Sequence, residues 1–176
     1  MNAPSFDYKE ARKYCMNFGM RVAFLWSISF LCSMYGSKYP LLSILGFFFG
    51  LYSIFFAGRL IRWYNQQAPS PARFLRSWWM ALLTYFFATL ATTLVQYIYF
   101  RFLDHGMLLS QVELIMNTPE YSQLLQGINE EEFKQSMTIM SNPSQMTYSM
   151  FLMNMTLGLI LSLPTSLIGY IGLNNK

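Results

Sequence analysis

Apolar residues dominate four long stretches of this chain, and short polar or charged segments separate them. The stretches cover residues 17–35, 40–61, 77–103 and 147–173. A helix crosses the hydrocarbon core of a bilayer with about 20 consecutive, mainly apolar residues. Because each stretch reaches that length, the pattern predicts an all-α protein whose four transmembrane helices form a single integral membrane domain over residues 1–176.

Residues 104–146, between the third and fourth stretches, form the one long connection. Apolar residues recur in it at helical spacing, and two positions have residue types that begin helices. Pro119 follows Thr118, and three glutamates at 130–132 follow Asn129. We therefore expect two or three short amphipathic helices outside the membrane. Their apolar faces either pack on the transmembrane helices and lipid or bind an envelope protein.

The distribution of charge predicts how the helices are oriented. Most acidic residues lie in the connection 104–146. Most cations lie before or just inside the first stretch, or flank the connection between the second and third: Lys9, Arg12, Lys13, Arg21, Arg59, Arg62, Arg73 and Arg76. Short loops rich in Lys and Arg stay cytoplasmic. We therefore expect both termini in the cytoplasm, and the net charge of +4 reflects topology rather than nucleic-acid binding.

Composition narrows the range of functions. Hydrophobic residues make up 54% of the chain and charged residues 11%, whereas charged residues are about 25% of a typical soluble domain. The 176 residues leave no room for a separate catalytic domain, and the chain has one histidine, His105. The sequence holds no recognisable nucleophile, metal or nucleotide-binding motif. We therefore expect no enzymatic activity, no cofactor and no metal.

Basic and aromatic residues form a collar where the second stretch ends and the third begins. Its members are Arg59, Arg62, Trp63, Arg73, Arg76, Trp78 and Trp79. Such residues anchor helices at the level of the lipid headgroups. The collar either serves this anchoring role alone or contacts anionic headgroups, a lipid phosphate or a cytoplasmic partner.

Small and polar residues form a stripe along two of the stretches. In the second stretch the stripe is Ser43, Gly46, Gly50, Ser53 and Ala57, and in the fourth it is Asn154, Gly158, Ser162, Thr165 and Gly169. Such stripes allow helix backbones to approach closely and to form interhelical hydrogen bonds. They serve packing within the chain, docking of another membrane subunit, or a polar pathway. Transport is disfavoured because no Asp, Glu, Lys or His lies in the middle of a stretch.

Three segments of the sequence resemble a known family. They are Tyr97-Ile98-Tyr99-Phe100-Arg101-Phe102-Leu103-Asp104, the acidic Glu130-Glu131-Glu132-Phe133, and Pro143 followed by Leu157-Gly158-Leu159-Ile160-Leu161-Ser162-Leu163. From residue 17 onward the chain resembles the domain-of-unknown-function 4199 family of small four-span bacterial membrane proteins. The resemblance implies a bacterial inner-membrane location and no known catalytic residues. It also implies frequent proximity of the genes to one for a polyprenyl-phosphate glycosyltransferase.

Together these features predict a non-enzymatic protein of the bacterial inner membrane. We expect an accessory or partner-binding subunit of a membrane complex. If this chain shares the gene neighbourhood that the resemblance implies, the complex handles lipid-linked sugars. The expected partners are the lipid bilayer and either another membrane protein or a second copy of the chain. A small transporter or lipid-binding membrane protein is the alternative.

Overall fold

The computed structural model describes residues 7–68, 73–104, 106, 110 and 142–171. Helix α1 spans Tyr8–Met34, a 3-10 turn spans Tyr35–Ser37, and α2 spans Pro40–Gln67. Helix α3 spans Phe74–Phe102 and α4 spans Pro143–Tyr170. Over the described residues these four helices are long and apolar enough to cross a membrane. The predicted all-α class with four membrane-spanning helices is therefore confirmed.

The short helices predicted within residues 104–146 fall almost entirely outside the described residues. Of this connection the structure describes the first turn after α3 and the residues that lead into α4. After α3, the Leu103 and Asp104 amides both donate to the Tyr99 carbonyl, at 2.8 and 3.0 Å. Gly106 follows with a φ of 79°, a left-handed conformation that glycine adopts without a Cβ clash.

Local residue chemistry explains where the helices begin. Asp7 caps α1, because its carboxylate accepts hydrogen bonds from the Lys9 and Glu10 amides at 2.8 and 3.2 Å. Proline occupies the first position of both α2 and α4, where its missing N–H costs no hydrogen bond. Asn142 precedes α4 and accepts from the Ser144 amide at 3.0 Å.

All four helices extend beyond the predicted apolar stretches at one end, α1 and α2 the furthest. Helix α1 begins at Tyr8 rather than at residue 17, and α2 continues to Gln67 rather than ending at residue 61. Both extensions carry charged and polar residues, which hydropathy does not count as membrane-spanning. Helices α1 and α2 thus continue from the apolar stretches into the region expected to contact lipid headgroups.

The chain divides into two compact units. One comprises Met1–Thr92 and Phe151–Lys176, and the other comprises Thr93–Met150. The boundaries fall within α3 and within α4. In the second unit, the described residues include buried Gln96, Tyr99 and Phe100 on α3 and buried Met146 and Thr147 on α4.

The first unit holds two groups of buried apolar residues. The group nearer the start of α1 comprises Ala11, Cys15, Phe18, Ile61, Tyr64, Met80 and Ala81. The second comprises Val22, Ala23, Trp26, Ala57, Tyr85 and Ala88. Each group draws on α1, α2 and α3, so close packing of side chains joins these helices. Such packing stabilises helix association in lipid, where burial of apolar surface gives no advantage of its own.

The outward surfaces of the helices are strongly apolar. Phe24 on α1, Phe47 and Phe55 on α2 and Ile160 on α4 are each more than half exposed. In water, apolar patches of this kind would cause association or aggregation. The membrane-spanning helices therefore present these surfaces to the lipid bilayer.

Candidate functional site

The stripe on α2 lies partly against α1. The Ser29 hydroxyl donates to the Gly46 carbonyl at 2.7 Å, and a Cβ placed on Gly46 would lie 2.9 Å from the Ser29 carbonyl oxygen. Trp26 Nε1 donates to Ser53 Oγ at 2.9 Å, and this hydroxyl donates to the Gly50 carbonyl at 2.6 Å. Glycine and serine at these positions thus permit close contact between the two backbones.

Other members of the α2 stripe have different surroundings. Ala57 is completely buried. Ser43 is exposed and Gly50 is half-buried. A Cβ on Gly50 would meet a single atom, Ser29 Oγ, at the ordinary contact distance of 3.5 Å. A Cβ at Gly50 therefore fits without displacing a neighbour, whereas one at Gly46 does not.

The stripe on α4 faces α2 and α3 within the first unit. Thr165 Oγ1 shares a hydrogen bond of 2.7 Å with the Tyr85 hydroxyl on α3. Ser162 Oγ accepts from Trp78 Nε1 at 3.0 Å. Two glycines allow close approach, since Cβ atoms there would lie 3.0 Å from Tyr85 Cβ at Gly158 and 2.9 Å from Ile61 at Gly169. Asn154, the remaining member, is buried.

Little space is left between α3 and α4 in the first unit. A cavity of about 20 Å³ lies beside Tyr85, Thr89 and Gly158. That volume is about what one water molecule needs. Thr89 Oγ1 is buried there and has no hydrogen-bond partner. Beside these residues, α3 and α4 are thus closely packed.

One arginine of the collar binds the end of α4. Arg62 donates from Nε and a terminal nitrogen to the Ile168 carbonyl, at 3.1 and 2.6 Å. Ile168 lies in the last turn of α4, where carbonyls lack partners within the helix. A cation at a helix C-terminus also interacts favourably with the helix dipole. Arg62 therefore joins α2 to α4.

A second arginine fixes the start of α3 against the end of α2. Arg76 donates twice to Asn65 Oδ1, at 3.0 and 2.7 Å, and Asn65 Nδ2 donates to Ser77 Oγ at 2.9 Å. Asn65 and Ser77 are both buried. This network satisfies polar groups on both sides of the connection between the two helices.

The remaining collar residues have varied surroundings. Trp78 bonds Ser162, as described above, and Trp79 packs edge-on against Tyr8 with ring centroids 5.6 Å apart. Trp63 is 46% exposed, and Arg59 and Arg73 are exposed. The structure thus separates cations held by protein groups from cations that face outward.

Arg59 and Trp63 border a groove between α1 and α2. The polar part of this α1–α2 groove has a volume of about 740 Å³ and is lined by residues that include Glu10, Lys13, Tyr14, Arg21, Arg59 and Trp63. An adjoining apolar part of about 650 Å³ is lined by residues that include Met16, Met20, Phe24, Leu25, Tyr52 and Phe56. Lys13, Asn17 and Arg21 border both parts.

From the sequence, Lys13 and Arg21 were expected to have a role in topology alone, and their contribution to a groove was missed. They lie eight residues apart with Asn17 halfway between, a spacing that places all three on one helix face. This signal was visible in the sequence. This face lies beside Arg59 on α2 because of how the two helices are rotated about their axes. The sequence does not show that rotation.

The described residues contain no group of three or more His, Cys, Asp or Glu side chains placed to hold a metal ion. Several polar groups between the helices bond one another. The exposed cations Arg59 and Arg73 lie, with those of early α1, at the end of the helices where α1 begins and α2 ends, termed here the basic end. These features define a multi-pass α-helical membrane protein.

The chain belongs to a family described as protein of unknown function (DUF4199), which it matches over residues 17–169. The resemblance noted in the sequence is thereby confirmed. Comparison with curated proteins and with solved structures gave no match.

Proposed function

We propose that this protein is a non-enzymatic subunit of the bacterial inner membrane that binds a second membrane protein. In this proposal the basic end, with both chain termini, lies in the cytoplasm, as the excess of Lys and Arg there favours. The partner belongs to a membrane complex, and the family resemblance points to one that handles lipid-linked sugars.

The observation that carries the proposal is the exposed surface of the first half of α2. From Pro40 to Tyr52, Gly46 is the one buried residue of this helix. Phe47, Phe48 and Leu51 are all exposed around the half-buried Gly50. A half-buried glycine set among large apolar side chains provides a surface into which another transmembrane helix can pack.

Two glycines of α2 provide a matched test. A Cβ on Gly50 would meet one atom at an ordinary contact distance, so the isolated Gly50→Ile protein should keep its thermal unfolding temperature while the complex is lost. Gly46→Ile forces a side chain against the Ser29 backbone and should lower the unfolding temperature itself. Both variants replace glycine with isoleucine in the same helix, so their difference reports position alone.

The measurement is co-purification from native membranes in mild detergent, with mass spectrometry of the recovered proteins. Loss of a stoichiometric partner from Gly50→Ile, with normal recovery of the subunit itself, would support the proposal. Full recovery of the partner with Gly50→Ile would contradict it. A second copy of the chain as the recovered partner would support docking at this face and replace the accessory role with self-association.

The transporter alternative has less support. A transporter would need a continuous cavity for its substrate, and the polar residues Gln96 and Asn154 are both buried. In the first unit the cavity beside Tyr85 and Gly158 admits about one water molecule. Lipid binding, the other alternative, is favoured by the α1–α2 groove.

A further inference from the structure

The α1–α2 groove holds three cations that the fold does not use. Within the part of the chain that the structure describes, Lys13, Arg21 and Arg59 make no hydrogen bond or ion pair through their side chains. Arg62 and Arg76, at the same end of the helices, are held by the Ile168 carbonyl and by Asn65. Glu10 is the one acidic residue that lines the groove. The polar part therefore carries excess positive charge available to a ligand.

Arg21 lies where an unpaired positive charge is unfavourable in free energy. Arg21 lies inside the first apolar stretch and borders both parts of the groove. A cation at the edge of the hydrocarbon region is stabilised by reaching the interface or by pairing with an anion. Guanidinium groups pair especially well with phosphate, because their N–H donors match its oxygens two at a time.

The groove changes from polar to apolar along α1. The polar part is bordered by Tyr14 and Trp63, whose rings suit the membrane interface. The apolar part continues along Met20 and Phe24 on α1 and Phe56 on α2. From Lys13 to Phe24 the helix rises about 16 Å, which is about half the thickness of the hydrocarbon core. A ligand that fills the groove thus has an anionic head and an apolar tail.

We infer that the α1–α2 groove binds a phosphate-bearing membrane lipid, with the phosphate among Lys13, Arg21 and Arg59 and an acyl or prenyl chain along Met20, Phe24 and Phe56. The charge complementarity selects an anionic headgroup over a zwitterionic one. The apolar part selects a lipid over a free phosphate. This inference is independent of the partner-binding surface on α2, because Gly50 is not among the groove residues.

The test compares two triple variants of equal charge change. Lys13→Gln, Arg21→Gln and Arg59→Gln together remove the groove cations. Lys9→Gln, Arg12→Gln and Arg73→Gln together remove one lysine and two arginines that are exposed and do not line the groove. Each purified protein in detergent is titrated with phosphatidylglycerol or phosphatidylcholine, and bound lipid is counted by native mass spectrometry. Circular dichroism and thermal unfolding report whether each variant remains folded.

We expect the groove variant to bind phosphatidylglycerol about a hundredfold more weakly than the parent, because each of the three cations contributes about fivefold near anionic lipid. The control variant should stay within about twofold of the parent, and the parent should prefer phosphatidylglycerol to phosphatidylcholine. Equal losses in the two variants, or no preference between the lipids, would overturn the inference.

A second arm separates the lipid from other anions. Glycerol phosphate, a phosphomonoester, has a glycerol and an anionic phosphate without the tails, and it should fail to displace phosphatidylglycerol at matched concentrations. Displacement by glycerol phosphate or inorganic phosphate would identify a site for free phosphate instead. If the groove variant binds lipid normally but loses a co-purifying protein, the groove serves an acidic segment of that protein and the lipid assignment is wrong. Should the groove variant unfold, Arg59→Gln alone replaces it, since Arg59 is exposed and bonds no described residue.

Discussion

At the scale of single residues, the polar groups between helices differ in what they contribute. Thr165 and Thr89 are both completely buried threonines. Thr165 bonds Tyr85, whereas Thr89 Oγ1 has no partner. We predict that Thr165→Val lowers the free energy of unfolding by about 1 kcal/mol, because it leaves the Tyr85 hydroxyl unpaired.

The same substitution at Thr89 provides the control. Thr89→Val removes a hydroxyl that bonds no protein group, so stability should stay the same or rise slightly. Reversible denaturation of both variants in one detergent measures the difference. Equal destabilisation by the two substitutions would show that packing rather than the hydrogen bond accounts for the loss at Thr165.

Arg62 provides a second test at this scale. Arg62→Met keeps much of the side-chain length but removes both donors to the Ile168 carbonyl, so it should reduce stability by about 1 kcal/mol. Arg59→Met is the comparison, since Arg59 lies one turn away, is exposed and bonds no described residue. Thermal unfolding in a lipid-free neutral detergent should separate the two variants. A drop as large for Arg59→Met would mean that loss of charge alone destabilises the helices.

At the scale of helices, the sequence predicted which segments span the membrane but not where the helices end. Membrane spans are long apolar runs, so their existence follows directly from composition. The start of α1 at Tyr8 depends instead on a side-chain cap by Asp7, within a charged segment that hydropathy excludes. Helix ends respond to such local hydrogen bonds, and a count of apolar residues does not contain them.

The small-residue stripes could also be predicted only in part from the sequence. The spacing of Gly46 and Gly50 put both residues on one face of α2. It could not show that a Cβ on Gly46 would lie 2.9 Å from the Ser29 carbonyl oxygen, whereas one on Gly50 would meet a single atom at 3.5 Å. That difference depends on the angle and rotation between α1 and α2. The hydrogen bonds from Arg62 to the Ile168 carbonyl could not be predicted from the sequence either, because the two residues lie 106 positions apart in the chain.

At the scale of the whole molecule, orientation in the membrane follows from charge. The basic end carries Arg59, Arg62, Arg73 and Arg76 in a short connection and its flanks, the arrangement that stays cytoplasmic. We predict that a cysteine at position 67, at the end of α2, is protected from a membrane-impermeant maleimide in intact cells. A cysteine at position 110 should react, because it follows α3 on the opposite side.

The native cysteines do not interfere with this measurement once they are replaced. Cys15 is buried and Cys32 is partly buried, so Cys15→Ala and Cys32→Ser provide a background free of thiols. Gln67→Cys and Ser110→Cys are then labelled separately, before and after the cells are lysed. The cysteine at position 67 should react only after the cells are lysed.

The reverse pattern would place the basic end outside. It would also assign the α1–α2 groove to the outer leaflet, whose lipids and partners differ. The orientation of the chain therefore decides which lipid pool the groove meets, and this labelling experiment should precede the lipid titrations.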